Sequence, residues 1–206
     1  MADVSRAAFG RRRAGGASGS SSAARAHAHN RARVFLGRLK HDLKELAAEK
    51  VPFVVDDAGE GASSGGCTLY AWVIGPKDTP YEGYAFKLRV YLPPEWPVKS
   101  PSVAFVTKVL HVNIERSTGS ICCNQLIDEY VSSLRLVTMI KIILPQLLEH
   151  PNADDPYNVE AARMMLSDPD AFGEQVRADV RKFGIRLEDL DEAVAAHAAS
   201  ETMFSE

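Results

Sequence analysis

Cysteine is scarce in this chain: Cys67, Cys122 and Cys123 are the three among 206 residues. An odd, low number gives no disulfide framework and suits a reducing compartment, so a cytoplasmic or nuclear location is expected. No Cys-x-x-Cys or His-x-x-x-His pair stands outside the N-terminal tail, so no metal site is expected. No apolar run approaches the ~18 residues a membrane-spanning helix needs, which argues against a membrane partner. Net positive charge is confined to the first thirty-three residues. That segment holds seven arginines against Asp3 alone, a charge of +6, which leaves −9 on the remainder. Phosphate contacts need clustered Lys and Arg, so an acidic body argues against nucleic-acid binding as its main business.

What is present suits one globular domain with a tail. Residues 1–30 are Gly, Ser, Ala and Arg with almost nothing to bury, and a disordered tail is expected there. An Arg- and Ser-rich, acid-poor start also resembles an organelle transit peptide, but no apolar helical face is evident, so a flexible docking arm is the better reading. From Arg31 to Lys50 the pattern turns helical, with Val34, Leu36, Leu39, Leu43 and Leu46 mostly on one face. "VPFVVDD", "CTLYAWVIG", "YAFKLRVYL" and "SVAFVT" read as four strands separated by Gly- and Pro-rich turns. The third alternates cleanly, with Tyr84, Phe86, Leu88, Val90 and Leu92 on one face. A helix followed by a four-stranded antiparallel meander is an α+β pattern.

Residues 108–133 then show no sustained period, and loops this long in compact domains are often functional. After them, "LRLVTMIKIILPQLLE" is apolar almost all round and predicts a buried central helix, with Ser133 as N-cap and a kink or end at Pro145. A helix near 159–166 follows, then one opened by Asp168 and Pro169 that carries Phe172, Val176, Val180 and Phe183 on one face, with Gly184 as C-cap. The domain is therefore bounded at 31–184, and 185–206 forms an acidic, Ala-rich extension able to make a further helix.

The long loop contains "VLHVNIERSTGSICCNQ", with adjacent cysteines about ten residues after a histidine and an asparagine. Residue types alone leave three readings open: a catalytic thiol, a redox pair, or small core residues. The strings "GPKDTPYEGYAFKLRVYLP", "WPVKSPSVAFVTKVLHVNI", "GSIC" and "LLEHPNADDPYNVEAA", in that order, are similar to those of the ubiquitin-conjugating enzymes over residues 31–184. The "ILPQLL" segment and the loop length look closest to the subgroup with histone-directed and acidic-tailed members. The helix after "DPYN" is also similar to the conjugating enzyme for NEDD8. Four departures stand out: His111-Val112-Asn113 where the family has His-Pro-Asn, Cys123 for its leucine, Tyr130 for a common tryptophan, and Val131-Ser132-Ser133 for its Ser-Pro-Ala.

The resemblance implies an acyltransferase that takes ubiquitin as a thioester and passes it to a lysine amine. It implies Cys122 as the nucleophile, Asn113 as oxyanion donor, Asp155 as the carboxylate that orients the incoming lysine, and His111 as a structural member of the loop. Cys123 then reads as a small core residue. Asn113 could equally be a turn-former bonded to backbone, and Asp154 and Asp155 a capped turn. Arg33, Arg38 and Lys40 would meet the ubiquitin-activating enzyme, although taken alone they are an ordinary solvated helix face. Val98, Lys99, Ser132 and Ser133 would meet a RING-type ligase. No cofactor is expected, since ATP is used by the upstream activating enzyme. The implied partners are ubiquitin or a ubiquitin-like protein, the activating enzyme, a ligase and substrate lysines. Two rivals remain: a conjugating enzyme for NEDD8 or another modifier, and an inactive ubiquitin-binding variant of the fold.

Overall fold

The computed structural model describes residues 19–56, 65–121 and 129–203, with side chains from residue 23 to residue 200 within those spans. Helix α1 spans Gly19–Ala48. It begins twelve residues earlier than Arg31, so the part of the expected disordered tail from residue 19 to residue 30 is helical. Residues 23–34 are all exposed, so local propensity makes this helix, not packing: Ala23, Ala24, Ala26, Ala28 and Ala32 alternate with arginines, both strong helix formers. Tertiary burial starts at Phe35, which meets the Trp96 ring edge to face at 5.8 Å. Val34 and Leu36, expected on the apolar face, point to solvent; Phe35, Leu39, Leu43 and Leu46 form the inward stripe.

Strands β1 (Phe53–Asp56), β2 (Cys67–Ile74), β3 (Tyr84–Leu92) and β4 (Ser102–Phe105) form an antiparallel meander in sequence order. Leu69, Ala71 and Val73 from β2, with Phe86, Leu88, Val90 and Leu92 from β3, line the inner face and are buried to the last few percent of their surface. The central helix α2 covers them. It opens with an α-helical turn at Leu136–Thr138, widens to a π-helical turn at Met139–Ile143, and closes as α-helix over Leu144–Glu149. Pro145 therefore neither ends nor breaks the helix, because the wide turn ahead of it absorbs the missing N–H.

Ser133 does not cap α2. The first helical N–H, that of Leu136, points instead to Asp42 Oδ2 at 3.3 Å, so a buried carboxylate on α1 caps a helix 94 residues away. Helices α3 (Val159–Ser167) and α4 (Pro169–Phe183) start conventionally, with Asn158 Oδ1 accepting from Ala161 N and Asp168 Oδ1 from Ala171 N, both at 3.0 Å. Gly184 ends α4 in extended conformation, not left-handed. Glycine is required there by crowding, since a Cβ would lie 2.7 Å from the Val180 carbonyl oxygen and 3.0 Å from Tyr84 Cδ1.

The chain then adds strand β5 (Ile185–Arg186), which pairs with Tyr84 and Ala85 beyond the reach of β4. Helix α5 (Leu190–Met203) ends the described chain. It lies on the outer face of the sheet, the face opposite the inward row of β3. Among the described residues no helix is long and apolar enough to cross a membrane.

Candidate active site

The first part of the aperiodic segment lies in the core: Val109, Leu110, His111, Val112, Asn113 and Ile114 are all buried. Its backbone is fixed from three sides. Tyr81 Oη donates to Leu110 O at 2.8 Å, Asn158 N to Val112 O at 2.9 Å, and Ile114 pairs with Ile121. Between those two isoleucines the chain makes a tight turn in which Glu115 N donates to Ser120 O and Gly119 N to Glu115 O. Gly119 has φ +71°, and any Cβ there would run into the Phe105 carbonyl, so this position admits only glycine. The Glu115 carboxylate accepts from Ser117 Oγ at 2.6 Å and from Thr118 Oγ1, and these bonds hold its pKa below the usual value. Arg116 Nη1 fastens the turn to α4 through Asp179 Oδ2 at 2.8 Å.

His111 Nδ1 accepts the Asn113 backbone N–H at 3.0 Å. Burial pushes its pKa down to about 4, with the Leu147 backbone offsetting part of the effect. The ring is thus neutral near pH 7 and committed to shaping the turn, which leaves it no proton-accepting task at a substrate. Asn113, 2% exposed, uses its whole amide: Oδ1 accepts from Asn152 N at 2.8 Å, and Nδ2 donates to Asn152 O at 2.8 Å and to Asp155 O at 3.1 Å. It is a staple between the 111–114 turn and the 152–155 turn. Both readings of this residue from sequence are therefore modified. Its partners are backbone groups about forty residues away rather than its own, and an oxyanion could recruit Nδ2 only by displacing one of them. The same staple brings Asp155, exposed at the surface, beside the loop that carries Asn113. Cys122 and Cys123 lie outside the described residues; the described chain runs up to Ile121.

The residues expected at partner surfaces separate into two kinds. Arg33 and Lys40 are exposed on α1, with Arg33 Nη2 3.3 Å from Asn30 Oδ1. Arg38, with a side chain only 14% exposed, is turned inward. Its Nε lies 3.0 and 3.1 Å from the two Asp42 oxygens, Nη1 donates to Ser132 O at 2.6 Å, Nη2 donates to Leu134 O, and the guanidinium stacks over Trp96 at 5.2 Å. Val98, Lys99, Ser132 and Ser133 are exposed on two turns that are tied together when Tyr130 Oη donates to Pro97 O at 2.9 Å. Tyr130 therefore fastens the turns from the position where a tryptophan is common.

Sequence reasoning missed Asp42, whose charge interrupts the apolar stripe of α1; that interruption was the available signal. It also missed Asn158, an N-cap signal directly ahead of its helix, and Asn152 and the Arg116–Asp179 pair, for which no sequence pattern speaks. His41, Asp42 and Glu45 converge closely enough to hold a cation. Arg135 already occupies the space between them, with Nη1 2.8 Å from His41 Nδ1, 2.7 Å from Asp42 Oδ1 and 3.7 Å from Glu45 Oε2.

The sequence profile described as "Ubiquitin-conjugating enzyme" matches residues 38–180. The chain is 37% identical over 131 residues to ubiquitin-conjugating enzyme E2 5 of Arabidopsis thaliana, covering 64% of this chain and 71% of that one. It is 38% identical over 113 residues to ubiquitin-conjugating enzyme E2-24 kDa of Saccharomyces cerevisiae, a match spanning 55% of this chain and about half (52%) of the yeast protein. To ubiquitin-conjugating enzyme E2 N of Macaca fascicularis it is 32% identical over 148 residues, 72% of this chain and 94% of that one. Among solved structures, the ubiquitin conjugating enzyme E2 domain from Toxoplasma gondii superposes with a TM-score of 0.66 at 28% identity, covering 72% of this chain and 98% of that domain.

Proposed function

We propose, for a chain that belongs to the ubiquitin-conjugating enzyme family and is thereby an acyltransferase acting through a cysteine thioester, that Cys122 accepts ubiquitin and passes it to a lysine amine. The observation that carries this reading is the stapled loop: Asn113 locks the 111–114 turn to the 152–155 turn, and Ile114 pairs with Ile121, the last described residue of that stretch.

In the first step the Cys122 thiolate attacks the thioester carbonyl of ubiquitin held on the activating enzyme. A new C–S bond forms, the old one breaks, and the activating enzyme's thiolate leaves. In the second, a neutral lysine amine attacks the Cys122 thioester through a tetrahedral oxyanion. The C–N bond forms, the C–S bond breaks, and the amine's surplus proton passes to solvent. Asp155 orients the incoming ammonium and takes its proton as general base, passing it on to solvent. Asn113 contributes by holding Asp155's segment in place, and its Nδ2 becomes an oxyanion donor if it exchanges the longer bond, to Asp155 O, for the developing charge. His111 keeps the turn in shape.

Ubiquitin is the proposed modifier, and Arg33 and Lys40 the proposed contacts for the activating enzyme. The exposed pair of turns bearing Val98, Lys99, Ser132 and Ser133 is the proposed ligase face. The scarcity of cysteine supports a cytoplasmic or nuclear location. The test is to incubate the full chain with activating enzyme, ATP and ubiquitin and to look for an adduct that reductant removes. The adduct must be absent in Cys122→Ala. An adduct with NEDD8 and none with ubiquitin overturns the choice of modifier; no adduct with any modifier overturns the proposed enzyme chemistry.

A further inference from the structure

The outer face of the sheet carries a second apolar cluster, distinct from the main core. Trp72, Ala85 and Leu190 are buried, and Val54, Tyr70, Ile185 and Val194 pack against them. Leu190 and Val194 belong to α5, so the C-terminal helix is what covers this face. Its grip is limited: Leu190 is the one buried side chain among those described on the helix, and Ala193, Val194, His197 and Ala198 are half-buried. The cover also has a cost. Trp72 Nε1–H is buried beneath it with no hydrogen-bond partner among the described residues, a deficit that water would repair if the helix lifted.

At the far end the contact is polar and specific. The His197 ring meets Tyr70 edge to face at 4.4 Å, Lys87 Nζ lies 3.0 Å from His197 Nδ1, and the same ammonium sits 4.4 Å over the Tyr70 ring. A lysine ammonium can only donate, so Nδ1 must be the acceptor and the imidazole must be neutral. A protonated ring would lose this bond and set two cations against each other. The charged and titratable groups that face His197 are Tyr70 from β2, Lys87 from β3 and Asp56 from β1. Burial and Lys87 lower its pKa from 6.5, and Asp56 opposes them without cancelling them.

We propose that α5 is a releasable cover on the outer face of the sheet, closed by neutral His197 between Tyr70 and Lys87 and opened when His197 takes up a proton. The sign follows from the direction of the shift. Closure is at full strength above the ordinary histidine value, weakens as pH falls below 6.5, and levels off below the docked value. Opening bares Tyr70, Trp72 and Lys87, an aromatic and cationic surface. The device does not depend on which modifier the enzyme carries.

The test is amide hydrogen exchange of residues 190–200 in the full chain between pH 8 and pH 5, expressed as protection over unstructured rates, with Leu69 and Leu88 in the sheet as controls. Protection of α5 should fall on acidification by the ratio of the free and docked acid constants of His197, measured by NMR titration. It should begin to fall at a higher pH and independently of the sheet controls, whose own loss tracks His111 and global stability. His197→Phe keeps the ring contact and cannot titrate, so its α5 protection should be flat across that range. Lys87→Met should raise the His197 titration point and shrink the pH effect. Constant α5 protection in the unaltered chain, or an undiminished pH effect in His197→Phe, overturns the proposal.

Discussion

Asn113→Ala removes three hydrogen bonds at once, two of 2.8 Å with the Asn152 backbone and one of 3.1 Å with Asp155 O. Asn113 is fully buried, whereas Asn152 and Asp155 face solvent, so water can recover part of what is lost. At roughly 0.5–1.5 kcal/mol net for each bond, the change should cost about 2–4 kcal/mol. For a chain of this length each kcal/mol moves Tm by about 2–4 °C, so calorimetry should record a fall on the order of 5–10 °C. In single-turnover assays, charging of Cys122 should stay within a few-fold, while discharge to free lysine drops on the order of 10²-fold, because the donor and the anchor of Asp155 go together. Asn113→Asp should be worse than alanine for stability at pH 7, since a carboxylate would face two carbonyl oxygens. An unchanged Tm with discharge lost would refute the staple and leave a purely chemical role. Equal losses of charging and discharge would refute the chemical role and leave only the fold.

Cys122→Ala should abolish the reducible ubiquitin adduct and Cys123→Leu should leave it largely intact; the reverse result on a non-reducing gel would move the nucleophile by one residue. Asp42→Asn leaves Arg38 and Arg135 without the carboxylate that faces both, yet keeps an oxygen for Leu136 N. Because the two guanidinium groups are partly exposed, chemical denaturation should show a loss near the lower end of the roughly 3–5 kcal/mol typical of a broken buried pair, and a loss under 1 kcal/mol would show that the network is solvated. His111, with a pKa depressed by burial to about 4, is favoured neutral in the fold, so its contribution is complete above pH 6.5 and disappears as pH falls toward 4. The full loss is roughly 3 kcal/mol. Tm against pH should therefore be flatter for His111→Leu than for the unaltered chain, and parallel curves would show that His111 does not titrate as the burial requires.

Where local chemistry decides the structure, the chain could be read directly. The alternation in 84–92 becomes an inward row on β3, and Asp168-Pro169 opens α4 through the expected side-chain cap. Other features depend on groups far apart in sequence, and there the reading failed. Ser133 looked like a cap because of its own hydroxyl, but the N–H it would have satisfied is taken by Asp42 on α1. Pro145 looked like a terminator, yet burial of Met139, Ile140, Ile143 and Leu144 holds the helix on both sides and a wider turn is the cheaper accommodation. At the other end, an Ala- and Arg-rich stretch with nothing to bury predicts a disordered tail, yet from Gly19 onward its intrinsic propensity suffices to continue a helix already nucleated by Phe35, Leu39 and Leu46.

The site was legible as a set of residues and much less so as a set of partnerships. The resemblance to the ubiquitin-conjugating enzymes singles out His111, Asn113, Cys122 and Asp155, but it does not say that the Asn113 amide is consumed by backbone at 152 and 155, nor that Arg38 faces inward. Both facts come from the same constraint. A loop with no regular hydrogen bonds can be buried only if side chains supply the missing partners. The polar residues most distinctive in the sequence are therefore the ones the fold recruits first for that purpose. Arg38 satisfies the carbonyls of Ser132 and Leu134, Asn113 those of Asn152 and Asp155, and His111 the N–H of Asn113. A polar residue in such a loop can act on substrate only through donors left over after this obligation. Asp155, exposed and held in the staple through its backbone oxygen, is the residue proposed to meet the acceptor lysine, and Asn113 acts first by keeping its segment in place.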